Sequence, residues 1–173
     1  MSDFVESLGL PLFAHRLRRL SETLVEGGRQ WLPEAGVTAP PKAGSTLLLL
    51  AEAGPLTVTE IATRLRLTHP LIIKLTRRLS ELGLVRIEQD ARDGRRRPVS
   101  LTPEGRRQAA LLVDVNRGLA IVYQQIFDTA GVDGFAAIVA IERVLADRDF
   151  LQRLAETPHA PAPTGDAKCA EEP

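Results

Sequence analysis

The sequence predicts a mainly α-helical protein with a small β hairpin, and three observations support this fold class. Apolar residues recur at helical spacing over most of the 173 residues. Two short helical segments joined by a tight turn precede two short alternating segments around an Asp-Gly turn. Longer apolar helical stripes lie at both ends of the chain. Together these patterns predict a helix-turn-helix with a two- or three-stranded wing, set between terminal helices.

Charge is unevenly distributed although the formal net charge is zero. Residues 42–107 contain 13 Lys/Arg against 7 Asp/Glu, a net of +6, whereas residues 1–41 carry −1 and residues 108–173 carry −5. Such segregation is expected when one module contacts phosphates and the remainder only has to stay soluble. The net charge of zero therefore does not exclude a nucleic-acid partner.

The N-terminal residues 4–28 have a helical pattern, and Gly27-Gly28 is predicted to end or loosen that helix. Its apolar positions recur at intervals of four, three and four: Phe13, Leu17, Leu20 and Leu24. A linker rich in Pro and Gly follows and contains Trp31. This side chain would either cover a junction of helices or form one wall of a ligand pocket.

The central segment begins with a buried scaffold helix from about Pro41 to Ala53, which Gly54-Pro55 ends. Thr57-Val58-Thr59-Glu60 is a capping box that starts a short third helix. Thr68 is placed to cap the next helix, which runs from His69 to about Leu82, and Pro70 is tolerated in its first turn. Gly83 supplies the left-handed stop.

The helix from His69 presents two faces. Ile72, Leu75, Leu79 and Leu82 recur at core spacing, while the opposite face carries His69, Pro70, Ile73, Lys74 and Arg77. A major groove admits one such helix. A hairpin then runs from Leu84 to Gln89, turns at Asp93-Gly94 and returns from Pro98 to Leu101, with four arginines at its tip: Arg92, Arg95, Arg96 and Arg97. A helix pair beside a basic hairpin predicts duplex-DNA binding.

The C-terminal part begins with a long helix capped at Thr102-Pro103 and continuing to about Phe127. Its apolar stripe comprises Leu111, Leu112, Val115, Leu119, Val122 and Ile126. Gly131 is predicted to break it before a last helix over residues 134–155. We expect residues 1–40 and 104–156 to form a helical dimerisation region, 41–103 the DNA-binding domain and 157–173 a disordered tail.

Other function classes find little support. Among the three histidines, His15, His69 and His159, none stands in a catalytic order, and no metal spacing or Gly-rich phosphate loop occurs. We therefore predict no enzyme, metal or cofactor. Cys169 lies alone in the tail, where nothing would lower its pKa for redox sensing. No signal peptide or membrane span is evident, so a cytoplasmic protein is expected.

The ordered motifs resemble those of the MarR family of winged helix-turn-helix transcriptional regulators, over roughly residues 8–155. The most specific part is Gly83-Leu84-Val85, then Asp90-x-Arg92-Asp93-x-Arg95, then Val99-x-Leu101-Thr102-x-x-Gly105. The resemblance implies a homodimer, built from the terminal helices, that binds pseudo-palindromic operators. It further implies a repressor released by a small, often aromatic or anionic, effector.

By position, the resemblance makes Thr68, His69, Ile73, Lys74 and Arg77 the recognition-helix residues. Arg95 would reach the minor groove, and Asp90 and Asp93 would hold the wing. Leu71 and Ile73 depart from the family, since many relatives carry Ser, Thr, Asn or Arg there. An isoleucine can contact only a thymine methyl, so phosphate contacts and groove shape would supply more of the affinity.

An effector pocket in such a fold would be lined by Arg16, Trp31, Leu47 and Leu111, although these side chains would serve equally well as core. A second hypothesis comes from the exposed aliphatics Leu71 and Ile73, which suit a protein partner. The chain would then be a protein-interaction or ligand-sensing module without specific DNA readout.

Overall fold

The computed structural model describes residues 3–89 and 97–158. Its helices are α1 (Phe4–Leu8), α2 (Phe13–Trp31), α3 (Gly44–Ala53), α4 (Val58–Leu65), α5 (His69–Glu81), α6 (Pro103–Ala130), α7 (Gly134–Asp147) and α8 (Phe150–Ala155). Two strands, β1 (Val85–Ile87) and β2 (Val99–Leu101), pair antiparallel with Ile87 opposite Val99. The predicted mainly α fold with a small wing is confirmed.

The chain divides into two compact units, Met1–Ala120 and Ile121–Pro173. The division falls within α6, which is one continuous helix of 28 residues. Every buried residue among those described lies between Leu32 and Val115, within the first unit.

The core of the first unit is built from α3, α4, α5, both strands and the first half of α6. Its largest fully buried apolar side chains are Leu47, Ile61, Ile72, Leu79, Leu84, Val37 and Val99. Ile61, Ile72 and Leu79 confirm the inward faces predicted from helical periodicity, and Leu47 belongs to the helix that was predicted to be buried. Periodicity did not predict the burial of Leu84, Val99 or Val37. The core therefore joins the helix-turn-helix to the scaffold helix and to the base of the wing.

The predicted N-terminal helix is interrupted, and it also ends later than expected. Gly9 adopts φ +66°, and a 3₁₀ turn over Leu10–Leu12 separates α1 from α2. Gly27 and Gly28 do not end α2, because neither adopts a left-handed conformation and the Leu32 N–H donates to the Gly28 carbonyl at 2.9 Å. Glycine permits a helix stop without imposing one. Trp31 is consequently the last residue of α2 instead of part of a break.

The predicted last helix is in fact two helices. Arg148 has an extended backbone (φ −145°, ψ 115°) between α7 and α8. The Asp149 carboxylate then accepts a hydrogen bond from the Gln152 N–H at 2.8 Å and so caps a new helix. Arg153 donates to the carbonyl oxygens of Val144 and Arg148, at 2.8 and 3.0 Å, which holds the break closed. An aspartate three residues before a glutamine is a capping pattern that periodicity alone overlooks.

Candidate nucleic-acid interface

The first helix of the predicted helix-turn-helix starts at the expected capping box. The Thr57 N–H donates to the Glu60 carboxylate at 2.7 Å, and the Glu60 N–H donates to the Thr57 hydroxyl at 3.3 Å. Two N–H groups at the start of α4 are thus satisfied by side chains. Ile61 is fully buried and Ala62 nearly so, which fixes α4 against the core.

The turn between α4 and α5 depends on a left-handed residue that is not glycine. Arg66 adopts φ 52°, ψ 40° at the end of α4. The Leu67 N–H then donates to the Ala62 carbonyl at 3.0 Å, so the chain reverses within a few residues. This tight reversal sets the angle at which α5 leaves the core.

α5 begins after Thr68, as predicted, but not through the expected cap. Thr68 occupies the N-cap position, yet its side chain makes no capping hydrogen bond. Ile72, Leu75 and Leu79 are buried as predicted, and Leu82, which follows the last residue of α5, is partly buried against the core. Gly83 adopts φ +69°, as its predicted role requires.

The outer face of α5 is solvent-exposed at every predicted position: Thr68, His69, Pro70, Ile73, Lys74 and Arg77. Arg77 and Arg78 both contact the Glu81 carboxylate, each with a nitrogen–oxygen distance of 3.3 Å. The His69 Nε2 atom lies 3.4 Å from the Thr59 hydroxyl. The surface therefore combines cations that already have protein partners with uncovered aliphatic side chains.

The base of the wing is held by a third segment in addition to β1 and β2. Leu56 forms a bridge with Val99 through two backbone hydrogen bonds, of 3.2 and 2.7 Å. Val85 is buried, but Ile87 on the same side of β1 is 43% exposed because the strand extends beyond the core. Arg97 is exposed beside β2. The other predicted wing residues, Asp90, Arg92, Asp93, Arg95 and Arg96, lie outside the described residues.

The wing is joined to α6 by Thr102 and Gly105. The Thr102 hydroxyl donates to the Gly83 carbonyl at 2.7 Å and accepts from the Gly105 N–H at 3.0 Å, which caps α6. A Cβ atom at Gly105 would lie 1.9 Å from the Leu84 carbonyl oxygen. Only glycine fits at this position, because the backbone of α6 packs directly against the backbone of Leu84 at the start of the wing.

Sequence reasoning did not identify Gln108, a fully buried amide on α6. Its oxygen accepts from the Thr38 N–H at 2.8 Å, and its nitrogen donates to the Gly36 carbonyl at 3.2 Å. The Gln108 amide nitrogen also donates to the Glu104 carboxylate at 3.1 Å. Hydrogen bonds from Arg107 and then Gln108 lower the pKa of the Glu104 carboxyl. The sequence held one clue to this role: the polar Gln108 lies near the small or apolar residues Gly105, Ala109 and Leu112, all of which are buried on α6.

The predicted effector-pocket residues have different environments. Leu47 is fully buried, and Leu111 lies against Gly36. Trp31 is 40% exposed, and its ring lies against Gly118 of α6. Arg16 is exposed and borders a shallow groove with Leu10 and Phe13. Leu47 is therefore a core residue, which was the alternative interpretation of these four side chains.

A larger cleft lies elsewhere, between α3, the wing strands and α6. Its volume is about 530 Å³, within the range of sites for small organic molecules. Apolar side chains such as Leu50, Leu101 and Val113 line it, together with Arg86 and Arg106. The Arg86 side chain is held by Ser100 and Glu88, each at 3.1 Å, whereas Arg106 donates to the Leu101 carbonyl at 3.2 Å.

Within residues 3–89 and 97–158, no group of three His, Cys, Asp or Glu residues is placed to hold a metal ion. No helix in that part of the chain has the length and apolarity needed to cross a membrane.

Comparison with known proteins gives a family match over part of the chain and a shared fold. Residues 35–96 match the profile of the MarR family. No curated protein sequence matches the chain. The fold is similar to that of the S. aureus MepR–DNA complex, with a TM-score of 0.60 and 21% identity over 78% of this chain and 97% of that chain.

Two further solved structures share this fold. A probable transcriptional regulator from Pseudomonas aeruginosa gives a TM-score of 0.59 with 21% identity, covering 77% of this chain and 96% of that one. Bordetella bronchiseptica BpsR, whose DNA binding is described as regulated by 6-hydroxynicotinic acid, gives 0.58 with 24% identity, covering 86% and 99%. At these identities the similarity establishes the fold.

Proposed function

We propose that this chain, whose residues 35–96 match the profile of the MarR family, is a transcriptional regulator of that family and acts as a homodimeric repressor that binds pseudo-palindromic DNA operators. The observation that carries the proposal is the outer face of α5, exposed along its length within the segment of net charge +6. A helix presented in this way beside a wing is the geometry that enters a major groove.

Roles on the DNA follow from these positions. Thr68, His69, Ile73, Lys74 and Arg77 would face the major groove from α5. Arg92, Arg95, Arg96 and Arg97 would contact phosphates and the minor groove from the wing, and Asp90 and Asp93 would hold the wing through a neighbouring arginine. These cations would supply most of the affinity, because phosphate contacts dominate binding to duplex DNA.

Dimerisation is supported by the terminal helices. Large apolar side chains are exposed on them, including Leu10 at 83%, Phe135 at 72% and Leu151 at 75%. Apolar surface of this extent usually marks an interface. A second copy would supply the second recognition helix, and the two half-sites would lie about one helical turn apart.

Control by a small molecule is supported by the cleft between α3, the wing strands and α6. Because Arg86 and Ser100 belong to the wing, a ligand in this cleft would contact a DNA-binding element directly. The groove beside Arg16 and the surroundings of Trp31 and Leu111 are the alternative location. Calorimetric titration of an Arg86→Ala variant and an Arg16→Ala variant with any identified effector would separate the two locations.

The proposed wing contact can be tested by mobility-shift titration over a range of salt concentrations. Arg95→Ala should weaken binding and reduce the slope of log K against log salt by about one unit per wing charge removed. Arg117→Ala removes a cation from an exposed ion pair on α6 and serves as the matched control. Equal slopes for the Arg95→Ala variant and the unaltered protein would refute the wing assignment.

The second candidate function is a protein-interaction or ligand-sensing module, which the exposed Leu71 and Ile73 favour. Selection of random duplexes on the purified protein distinguishes the two. An enriched palindrome supports the regulator, whereas retention of duplexes without any enriched sequence supports the module.

A further inference from the structure

The apolar and charged residues of α5 are separated along the helix axis. Pro70, Leu71 and Ile73 are exposed in its first half, with Leu71 at 36% and Ile73 at 49%. The exposed cation Lys74 follows directly after Ile73, and the exposed arginines Arg77 and Arg78 lie in the second half. Recognition helices generally contact base edges through their N-terminal residues. The part of α5 that would approach the bases is therefore the part that exposes aliphatic side chains.

Three polar side chains near these aliphatics, those of His69, Arg77 and Arg78, make contacts within the protein. His69 lies within 3.4 Å of the Thr59 hydroxyl, and both Arg77 and Arg78 contact Glu81. A guanidinium held by a carboxylate must give up that contact before it can donate to guanine. Ile73, by contrast, has nothing to release, and its half-exposed side chain is available for contact.

On the basis of the proposed DNA-binding function, we infer that Ile73 and Leu71 read thymine methyl groups of different base pairs, because side chains two residues apart do not share a helix face. Each operator half-site would then prefer thymine at one or two positions that face the start of α5. The thymine C5-methyl is the one apolar group that a base pair presents in the major groove. Guanine and cytosine present only hydrogen-bonding groups there, which an aliphatic side chain would leave unpaired. Specificity would thus come from methyl contact and from rejection of G·C pairs.

The test uses the full-length protein and the duplex obtained by random selection. Each thymine of one half-site is replaced in turn by deoxyuridine, which lacks only the 5-methyl group. At one or two positions the affinity should fall about fourfold, the value expected for one methyl-sized group returned to water. The same replacement in both half-sites should lower the affinity about 16-fold if the two contributions multiply.

Variants of α5 assign the effect to side chains. Ile73→Ala or Leu71→Ala should weaken binding to the thymine duplex and abolish the difference between thymine and deoxyuridine at the position that side chain contacts. Lys74→Ala is the matched control, because it should weaken binding to both duplexes equally and preserve their ratio. Each substituted side chain is exposed, so the melting temperature should stay close to that of the unaltered protein.

The outcomes separate this inference from the proposed function. An enriched palindrome whose thymines can all be replaced with less than a twofold change in affinity overturns the inference and leaves the regulator standing. A thymine dependence that survives in both the Ile73→Ala and Leu71→Ala variants also overturns it. Selection that enriches no sequence overturns both the inference and the proposed specific regulator.

Discussion

The segment from Leu32 to Val115 and the terminal helices have similar apolar periodicity but very different burial. The central segment contains every buried residue of the described chain. α2, α7 and α8 contain none, although each carries large apolar side chains. The comparison teaches that apolar periodicity predicts which face of a helix is suited to burial, but not whether the same chain buries that face.

The largest expected effect concerns α7, where Ile138, Ile141 and Leu145 recur at helical spacing and are 38–40% exposed. If this stripe pairs with a second copy, Ile141→Asp should raise the dimer dissociation constant at least about a hundredfold. An unpaired carboxylate at an apolar interface costs about 3 kcal/mol or more. Sedimentation equilibrium over a range of protein concentrations measures the change.

The matched control for this prediction is Ala140→Asp, which places the same charge on a different face of α7. It should leave the dissociation constant within a few-fold of the original value. A dimer that persists equally in both variants would show that this stripe of α7 is not the interface.

The next effect concerns Gln108, within the segment that the chain covers itself. Gln108→Leu should reduce the free energy of unfolding by about 2 kcal/mol, because the Thr38 N–H and the Gly36 carbonyl lose their partner. Urea denaturation at fixed protein concentration provides the measurement.

Thr46→Val is the control for Gln108→Leu. Thr46 is equally buried, but its hydroxyl has no hydrogen-bond partner among the described residues. Removing that hydroxyl should leave stability unchanged or slightly increased. If both variants lose stability equally, the hydrogen bonds of Gln108 do not account for its effect.

The smallest effect concerns α2, which contains no buried residue. Hydrogen bonds from Arg29 and then Gln30 lower the pKa of the Glu26 carboxyl to about 2, below its ordinary value of 4.5. A carboxyl whose pKa is lowered on folding stabilises the folded state above its ordinary pKa, and this contribution is lost as pH falls towards 2. Glu26→Gln should therefore flatten the decline in stability between about pH 4.5 and pH 2.

Solvent screening should keep the Glu26 effect small, since the Arg29 and Glu26 side chains are 66% and 49% exposed. Thermal unfolding monitored by circular dichroism over this pH range measures it. Glu22→Gln is the matched control, because Glu22 lies 3.9 Å from Arg18 without a close hydrogen bond. Parallel pH profiles for the Glu26→Gln variant and the unaltered protein would refute the assigned role.

The sequence was informative where one local rule determined the structure. The capping box at Thr57, the stop at Gly83 and the inward face of α5 each depend on residues close together in the chain, and each was predicted. Gln108 was missed because its partners, Gly36 and Thr38, lie about 70 residues away and no local pattern connects them. The break at Arg148 was missed because apolar periodicity continues across it.

The candidate interface was only partly predictable for the same reason. Exposure of the outer face of α5 followed from helical periodicity. The pairing of Arg77 and Arg78 with one glutamate did not, because it depends on which rotamers meet at Glu81. The cleft between α3, the wing strands and α6 also escaped prediction, since it is formed by segments that are distant in sequence.

The contact at Gly105 has a mechanical consequence. The first turn of α6 rests directly on the Leu84 backbone with no side chain between them. A contact between two backbone segments, with no compressible side chain between them, allows almost no relative movement. We therefore expect any rotation of the first turns of α6 to displace the start of β1 by a similar amount.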